Sequence, residues 1–141
     1  GTTAREVLLT DLPAVVPLLR LNASLSAFAR AGLAPLSAAP LPWGTSSAAL
    51  DGEPSTFEAV VLSDVVYDTA LHEPLIATLR AVADRSTSIL LAQRLRFSHD
   101  HNFLELASLS FAVERVEPSP CVLAELGLVC RNVELYRLRK L

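Results

Sequence analysis

The sequence predicts a single open α/β domain, and three observations indicate it. Apolar, valine-rich runs alternate with stretches whose apolar residues recur at helical spacing. The last two apolar runs alternate instead with charged residues, which is typical of an antiparallel pair with one wetter face. Hydrophobic residues make up 51% of the 141 residues, enough to bury one core. We therefore expect residues 1–141 to form one domain whose mostly parallel sheet ends in an antiparallel strand pair.

The first part of the chain predicts a strand, a helix and an irregular strand. "REVLLTDLP" is a strand closed by Asp11 and Pro13, and apolar residues at helical spacing follow it. Pro17 does not suit a helix interior, so this helix is expected to start late or to bend. "LAPLSAAPLPWG" contains three prolines, which exclude a helix and favour an edge strand ending at Trp43 and Gly44.

The remaining segments continue the alternation of strand and helix. "FEAVVLS" is rich in valine, as expected of a central strand that is covered on both faces. A helix is predicted between about residues 69 and 84, and "TSILLAQ" is the next strand. "DHNFLELASLS" predicts a short helix, while "FAVERVEP" and "NVELYRLRKL" predict the closing antiparallel pair.

Charge and composition disfavour several classes of partner. The net charge is −3 and no Lys/Arg cluster forms a basic patch, so we expect no nucleic-acid partner. No apolar run approaches the roughly 20 residues that span a bilayer, so we expect a soluble, cytoplasmic protein without a membrane partner. Cys121 and Cys130 stand nine apart, which favours reduced thiols. The chain contains no methionine, so we expect it to be part of a longer protein.

Polar or aromatic residues follow three consecutive predicted strands. Asp11 follows the first strand, Trp43 the second, and Ser63, Asp64 and Tyr67 the third. In open α/β sheets, ligands bind beyond the carboxyl ends of the strands, where such side chains and helix N-termini meet. These five residues are therefore the candidate site.

Each candidate also has a purely structural interpretation. Asp11 is well placed either to cap the following helix or to accept hydrogen bonds from ribose hydroxyls. Trp43 suits a core or lid position as well as contact with an adenine ring. Asp64 suits a cap of the helix after it, with Tyr67 as a half-buried aromatic residue.

Other reaction classes have little support in the sequence. His99, Asp100 and His101 suggest a metal site, but further ligands at suitable spacing are missing, which favours a solvated loop and no metal. The chain has no phosphate-binding P-loop, no GxGxxG motif and no nucleophile elbow.

Five segments of the chain resemble, in order, the methyltransferase-like protein-lysine methyltransferases. They are "VLLTDLPAVVPLLRLN", "LPWG", "FEAVVLSDVVYDTALHEPLIATLRAV", "ILLAQRLR" and "HNFLEL". These seven-strand enzymes depend on S-adenosylmethionine and form methyltransferase family sixteen. The resemblance covers nearly the whole chain. Its most specific parts are "TDLP", "WG" and "SDVVYD", which matches the family's Asp-x-x-Tyr signature. The resemblance implies a Rossmann-like, class I methyltransferase sheet.

The resemblance also implies a role for each candidate residue. Asp11 matches the acidic residue that binds the cofactor's ribose, Trp43 matches the position beside the adenine, and Ser63 matches a small residue that touches the cofactor. Asp64 and Tyr67 match the pair that lines the methyl-transfer site. The implied function is methylation of lysine side chains in a protein substrate. A non-catalytic interaction module and a methyltransferase for another acceptor are the alternatives.

Two departures from the family pattern bear on substrate and completeness. Gln93 stands where many relatives have a tyrosine, which bears on substrate choice. The family's first strand and glycine-rich loop are expected immediately before residue 1, which makes Arg5 to Thr10 the second strand of the sheet. We therefore expect the parent protein to be active, residues 1–141 alone to be inactive, and the sheet to need a strand-completing partner, such as a second copy.

Overall fold

The computed structural model describes residues 5–25, 34–45, 50, 56–94, 100–117 and 133–141. The chain divides into two compact units, Gly1–Glu53 and Pro54–Leu141. In the described part of the first unit, the elements are strand β1 (Val7–Asp11), helix α1 (Val16–Leu25) and strand β2 (Leu36–Pro40). In that of the second, they are β3 (Ala59–Ser63), a 3-10 helix (Thr69–Leu71), α2 (His72–Val82), β4 (Ser88–Gln93), α3 (Asp100–Ser108), β5 (Phe111–Val116) and β6 (Glu134–Lys140).

The first unit is a strand–helix–strand element. β1 and β2 are parallel, with a register that runs from Val7 opposite Leu36 to Asp11 opposite Pro40. α1 connects them and packs on both strands. It starts at Val16, so Pro17 lies in the first turn, where its missing amide breaks no intrahelical hydrogen bond. The predicted late start of this helix is confirmed.

β2 confirms the predicted strand but ends earlier than expected. Its last residue is Pro40, and Trp43 lies beyond it in a turn. The prediction that the strand reaches Trp43 was wrong, because the hydrogen bonds from Thr45 to the Pro42 carbonyl close a turn that contains Trp43.

The second unit contains a four-stranded sheet with the order β3-β4-β6-β5. β3 and β4 are parallel. β6 runs antiparallel to both β4 and β5, so it is the reversed strand among the four. The predicted open sheet with an antiparallel C-terminal pair is confirmed, and β6 lies between β4 and β5 rather than at the edge.

The core of the second unit lies on one face of this sheet, beneath α2 and α3, which contact each other. Along β4 the buried residues alternate, as expected for a strand with one covered face. Each fully buried large side chain contributes about 1.5–3 kcal/mol through apolar burial. The large apolar core side chains with at most 1% exposure are Ile89, Leu91, Leu138, Phe111, Phe103, Leu75 and Leu79.

The other face of the sheet is apolar and exposed at β3. Val61 is 73% exposed and Leu90, its partner in register on β4, is 40% exposed. Among the described residues, β3 is an edge strand. The prediction of a central strand covered on both faces is therefore wrong for the described structure, because no described strand pairs with the outer edge of β3.

The C-terminal end of α2 is bonded to the last strand and to the turn that follows the helix. The Lys140 ammonium donates hydrogen bonds to the carbonyls of Arg80 (2.8 Å) and Ala83 (3.0 Å). A cation at this end satisfies open carbonyls and interacts favourably with the negative end of the helix dipole.

In the turn before β4, the Asp84 carboxylate accepts hydrogen bonds from the Ser86 hydroxyl (2.6 Å) and amide (2.7 Å). These bonds lower the pKa of Asp84 to about 2.

Candidate functional site

The first unit brings Asp11 and Trp43 to one edge of its sheet. Asp11 is the last residue of β1, and its carbonyl accepts from the Leu41 amide (2.9 Å) just beyond the end of β2. Its exposed carboxylate accepts from the Leu12 amide (2.7 Å). Because α1 begins five residues later, at Val16, Asp11 is not the cap of that helix. The interpretation of Asp11 as the cap of this helix is therefore wrong, and its ligand role stays a prediction.

A tight turn fixes the position of Trp43. The Thr45 amide and hydroxyl donate to the Pro42 carbonyl at 3.2 and 2.6 Å. Gly44 occupies the third position of this turn with a φ of 88°, a left-handed value that favours glycine. The "WG" pair therefore has a local cause, because Gly44 closes the turn that holds the half-buried Trp43 directly after β2.

In the second unit, Asp64 follows β3 in a conformation that is uncommon for non-glycine residues, although aspartate adopts it more often than most. Its φ is 53°, in the left-handed region, where a non-glycine residue costs of the order of 1–3 kcal/mol. The Asp64 amide donates to the Ala92 carbonyl (2.9 Å), which continues the bonding between β3 and β4 by one residue. The strand thus ends in a constrained, exposed carboxylate. Such outliers cluster at functional sites.

In the loop between Asp64 and the 3-10 helix, Val66 is buried and Tyr67 is exposed. Val66 is 3% exposed, and its carbonyl lies 2.9 Å from Nε2 of the buried His72. Tyr67, the next residue, is 61% exposed. The helix cap is Asp68, whose carboxylate accepts from the Ala70 amide (2.9 Å). The interpretation of Asp64 as the cap is wrong, because Asp68 takes that role.

Val66 and His72 are supporting residues that sequence reasoning missed. The His72 ring also packs edge-on against Phe103 of α3, with ring centroids 5.4 Å apart. The sequence did contain a signal for His72, because this polar residue lies near the start of the predicted helix, five residues after Tyr67. Here the buried His72 holds the loop between Asp64 and the 3-10 helix in place through the Val66 carbonyl.

A cavity of about 230 Å³ lies at the carboxyl ends of β3 and β4. Gln93, the last residue of β4, is 2% exposed, and its side-chain nitrogen and oxygen have no hydrogen-bond partner within the described structure. Arg94 beside it is exposed. The lining residues are Ser63, Asp64, Ala92, Gln93, Arg94 and Val133.

A polar cluster adjoins this cavity on β6. Glu134, which lies opposite Gln93 in the ladder, accepts from the Tyr136 hydroxyl and pairs with Arg115 at 3.5 Å. Burial, and then the hydrogen bond to Glu134, raise the pKa of Tyr136 to about 12. The Glu134 carboxylate is therefore already engaged by its own neighbours.

The described residues contain a second cavity, but neither a metal-binding cluster nor a helix that could span a membrane. A larger, open cavity of about 520 Å³ between α1 and β2 is lined by none of the five candidates. Across the described ranges, no group of three or more His, Cys, Asp or Glu side chains could hold a metal. His99, Cys121 and Cys130 lie outside those ranges. No described helix is long and apolar enough to cross a membrane.

Comparison with known proteins identifies the family of this chain. Residues 2–110 match the family described as lysine methyltransferase. The chain belongs to that family. Over 111 residues it is 30% identical to the protein N-lysine methyltransferase METTL21A of Xenopus tropicalis, covering 79% of this chain and 49% of that protein. The mouse METTL21A (Mus musculus) is 31% identical over 80 residues, 57% of this chain and 36% of that protein. The chain thus spans about half or less of these curated relatives.

Solved structures identify the fold as that of the class I methyltransferases. The PH0226 protein of Pyrococcus horikoshii OT3 superposes with a TM-score of 0.64 at 12% identity, covering 96% of this chain and 74% of that one. A putative methyltransferase from Pseudomonas syringae gives 0.53 at 17% identity with the same coverage. LepI, in a complex with SAM, gives 0.59 at 14% identity, covering 96% of this chain and 36% of that chain. The predicted fold class is confirmed.

Proposed function

We propose that this chain is part of an S-adenosylmethionine-dependent methyltransferase that modifies lysine side chains of a protein substrate. The observation that carries the proposal is the family match over residues 2–110, which includes all five candidate residues. The names of the curated relatives support lysine in proteins as the substrate class. The complex of LepI with SAM supports the cofactor. A cytoplasmic location stays a prediction from the sequence.

The residues at the end of β1 and β2 suit the nucleoside part of this cofactor. The Asp11 carboxylate is exposed and, within the described residues, accepts one hydrogen bond. A carboxylate has about four acceptor sites, so it retains capacity for two ribose hydroxyls. Trp43 is half-buried, and the exposed part of its ring offers apolar surface for a planar base. We assign Ser63, at the end of β3, to a further cofactor contact.

Asp64 and Tyr67 suit the acceptor side of the reaction. When bound, the cofactor supplies a methyl group on a sulfonium, which a neutral lysine amine can attack. The Asp64 carboxylate attracts the incoming lysine and accepts an N–H hydrogen bond, which orients the amine. The exposed Tyr67 ring covers the lysine stem and excludes water from it.

The proposal is tested by methyl transfer with the full-length protein. The protein is incubated with isotopically labelled S-adenosylmethionine and a protein extract, and methylated lysine is identified by mass spectrometry. The matched control is Asp64→Asn, which keeps a residue type that tolerates a left-handed backbone while removing the charge. Labelled lysine with the wild type and much less with the variant is expected. Label on another amino acid, or none, would refute the proposal.

We also propose that the outer edge of β3 is completed by a strand from elsewhere, namely an upstream segment, a partner chain or a second copy. Two observations support this proposal: β3 ends the described sheet, and the apolar pair Val61 and Leu90 beside that edge is exposed. An unpaired strand edge presents free backbone donors and acceptors that favour pairing.

A further inference from the structure

Two charged side chains line the cavity at the carboxyl ends of β3 and β4, and their signs are opposite. Of the six described residues that line it, Asp64 and Arg94 are the charged ones. Both residues are exposed, so a ligand can reach them from solvent. Because complementary charges select partners and like charges exclude them, this pair favours a ligand that itself carries both signs.

The strand register places Asp64 and Arg94 close together. Ser63 on β3 lies opposite Ala92 on β4, and the Asp64 amide donates to the Ala92 carbonyl (2.9 Å). Asp64 is therefore one residue beyond this matched pair, and Arg94 is two residues beyond it. Neighbouring strands lie about 4.8 Å apart and successive residues about 3.3 Å apart, so one strand spacing and one residue step separate the two positions. A single ligand can contact both.

The Arg94 side chain has no ion pair or hydrogen bond within the described structure. In contrast, Arg115 and Arg137 on the closing strands each pair with a glutamate. Glu134, the acidic residue that follows the cavity-lining Val133, is one of these partners and is engaged by Arg115 at 3.5 Å. What distinguishes Arg94 from an ordinary solvated arginine is its place beside Asp64 on the cavity wall.

A protein substrate brings the neighbours of its lysine to this cavity. Residues of an extended segment advance only about 3.3 Å each, so side chains within two residues of a lysine at Asp64 come within reach of Arg94. The guanidinium presents donors in a planar fork that matches a carboxylate with two parallel hydrogen bonds. An acidic neighbour therefore gains a charge-assisted contact, whereas a basic neighbour meets a like charge.

We propose that Arg94 determines specificity by binding an aspartate or glutamate of the substrate within two residues of the modified lysine. The proposal rests on the proposed function, because it takes the substrate to be a protein segment whose lysine reaches Asp64. It narrows the substrate class to lysines with acidic neighbours. Lysines in basic segments are excluded by repulsion, which contributes to specificity alongside the attraction.

The first test compares two peptides that differ in the charge beside the lysine. Each peptide has a single central lysine, flanked on both sides by two glutamates in the acidic peptide and by two arginines in the basic one. The full-length protein, saturated with S-adenosylhomocysteine, is titrated in the millimolar range, and Kd is read from the Asp64 amide signal in NMR spectra. The acidic peptide is expected to bind about fivefold more tightly. Equal Kd values, or no binding of the acidic peptide, would overturn the proposal.

Charge reversal shows whether Arg94 is the cause of this preference. Arg94→Glu is expected to reverse the order of the two Kd values. Arg139→Glu is the matched control, because it makes the same change in net charge at an exposed residue that does not line the cavity. This control should keep the wild-type order. Equal changes in both variants would assign the preference to the overall charge of the protein and refute the role of Arg94.

The carboxylate of S-adenosylmethionine is the competing anion for Arg94. If Arg94 binds the substrate, Arg94→Gln should leave the calorimetric Kd of S-adenosylmethionine unchanged. A Kd raised about fivefold or more would assign Arg94 to the cofactor instead and overturn the proposal. The melting temperature should also stay unchanged, because Arg94 is exposed. A lower melting temperature with an unchanged order of peptide Kd values would assign Arg94 to structure.

The two proposals fail in different experiments. A wild-type protein that transfers no methyl group to lysine refutes the proposed function, whatever the peptide titrations show. A wild-type protein that methylates lysine while it binds the acidic and basic peptides equally refutes the role of Arg94 alone.

Discussion

Asp64 combines a constrained backbone with an exposed carboxylate, and its charge and its conformation can be tested separately. Asp64→Asn keeps a side chain that is tolerated at positive φ, whereas Asp64→Ala adds backbone strain of about 1 kcal/mol or more. We expect both variants, and Tyr67→Ala, which removes the ring, to lower methyl transfer more than affinity for S-adenosylmethionine. Single-turnover rates and calorimetric Kd values measure the two quantities. Equal losses in both would indicate a structural role.

Asp11 belongs to the cofactor side, and the opposite pattern is predicted for it. Asp11→Ala should weaken binding of S-adenosylmethionine, because two charge-assisted hydrogen bonds of about 1.5–3 kcal/mol each are lost. Trp43→Ala should also weaken binding, through lost contact with the adenine. Calorimetry on the folded variants measures both effects. Unchanged affinity would make Asp11 a local turn residue and Trp43 a lid.

At the scale of elements, the turn from α2 to β4 is predicted to respond to acid. The pKa of Asp84 is lowered from 3.8 to about 2 in the folded protein, so its hydrogen bonds stabilise the turn fully above about pH 4. This contribution is lost as pH falls from 4 toward 2. The melting temperature of wild type should exceed that of Asp84→Asn by a constant amount above pH 4, and the difference should shrink below it. A difference independent of pH would contradict the assignment.

The hydrogen bonds from Lys140 join the last strand to the end of α2, and they are predicted to stabilise the second unit. Lys140→Met keeps most of the aliphatic stem and removes two hydrogen bonds from a charged donor, so we expect it to destabilise the second unit by about 1–3 kcal/mol. Arg139→Met, at the neighbouring exposed position, is the matched control and should change stability little. Chemical denaturation compares the two variants. Equal stabilities would show that the hydrogen bonds contribute nothing measurable.

The elements also show where sequence reasoning works and where it fails. Local periodicity predicted the strands and helices, because apolar spacing reflects which face of each element is covered. It could not decide between Asp64 and Asp68 as the helix cap, since both precede the helix and only the backbone course separates them. The unpaired state of Gln93 was equally hidden, because it depends on Glu134, some 40 residues later, being engaged elsewhere.

For the whole molecule, the predicted single domain stays a prediction, and it depends on the edge of β3. Residues 1–141 alone should neither fold stably as a monomer nor bind S-adenosylmethionine. The unpaired donors and acceptors on the outer edge of β3, beside the exposed Val61, favour association of these residues over a stable monomer. Thermal melting and calorimetry of these residues, beside the full-length protein, provide the comparison. A cooperative monomeric melt with a clear binding isotherm would show the strand-completion proposal to be wrong.

The strand order of the second unit has a consequence for synthesis. β6 lies between β4 and β5 and bonds to both, although it follows them in the chain. While a ribosome makes this region, β5 has no neighbour among the described strands until residues 134–140 emerge. The pairing of β4 with β6 spans more than 40 residues, and such non-local contacts form slowly. The nascent protein therefore carries an unpaired β5 edge through this interval, which is a period of greater risk of aggregation.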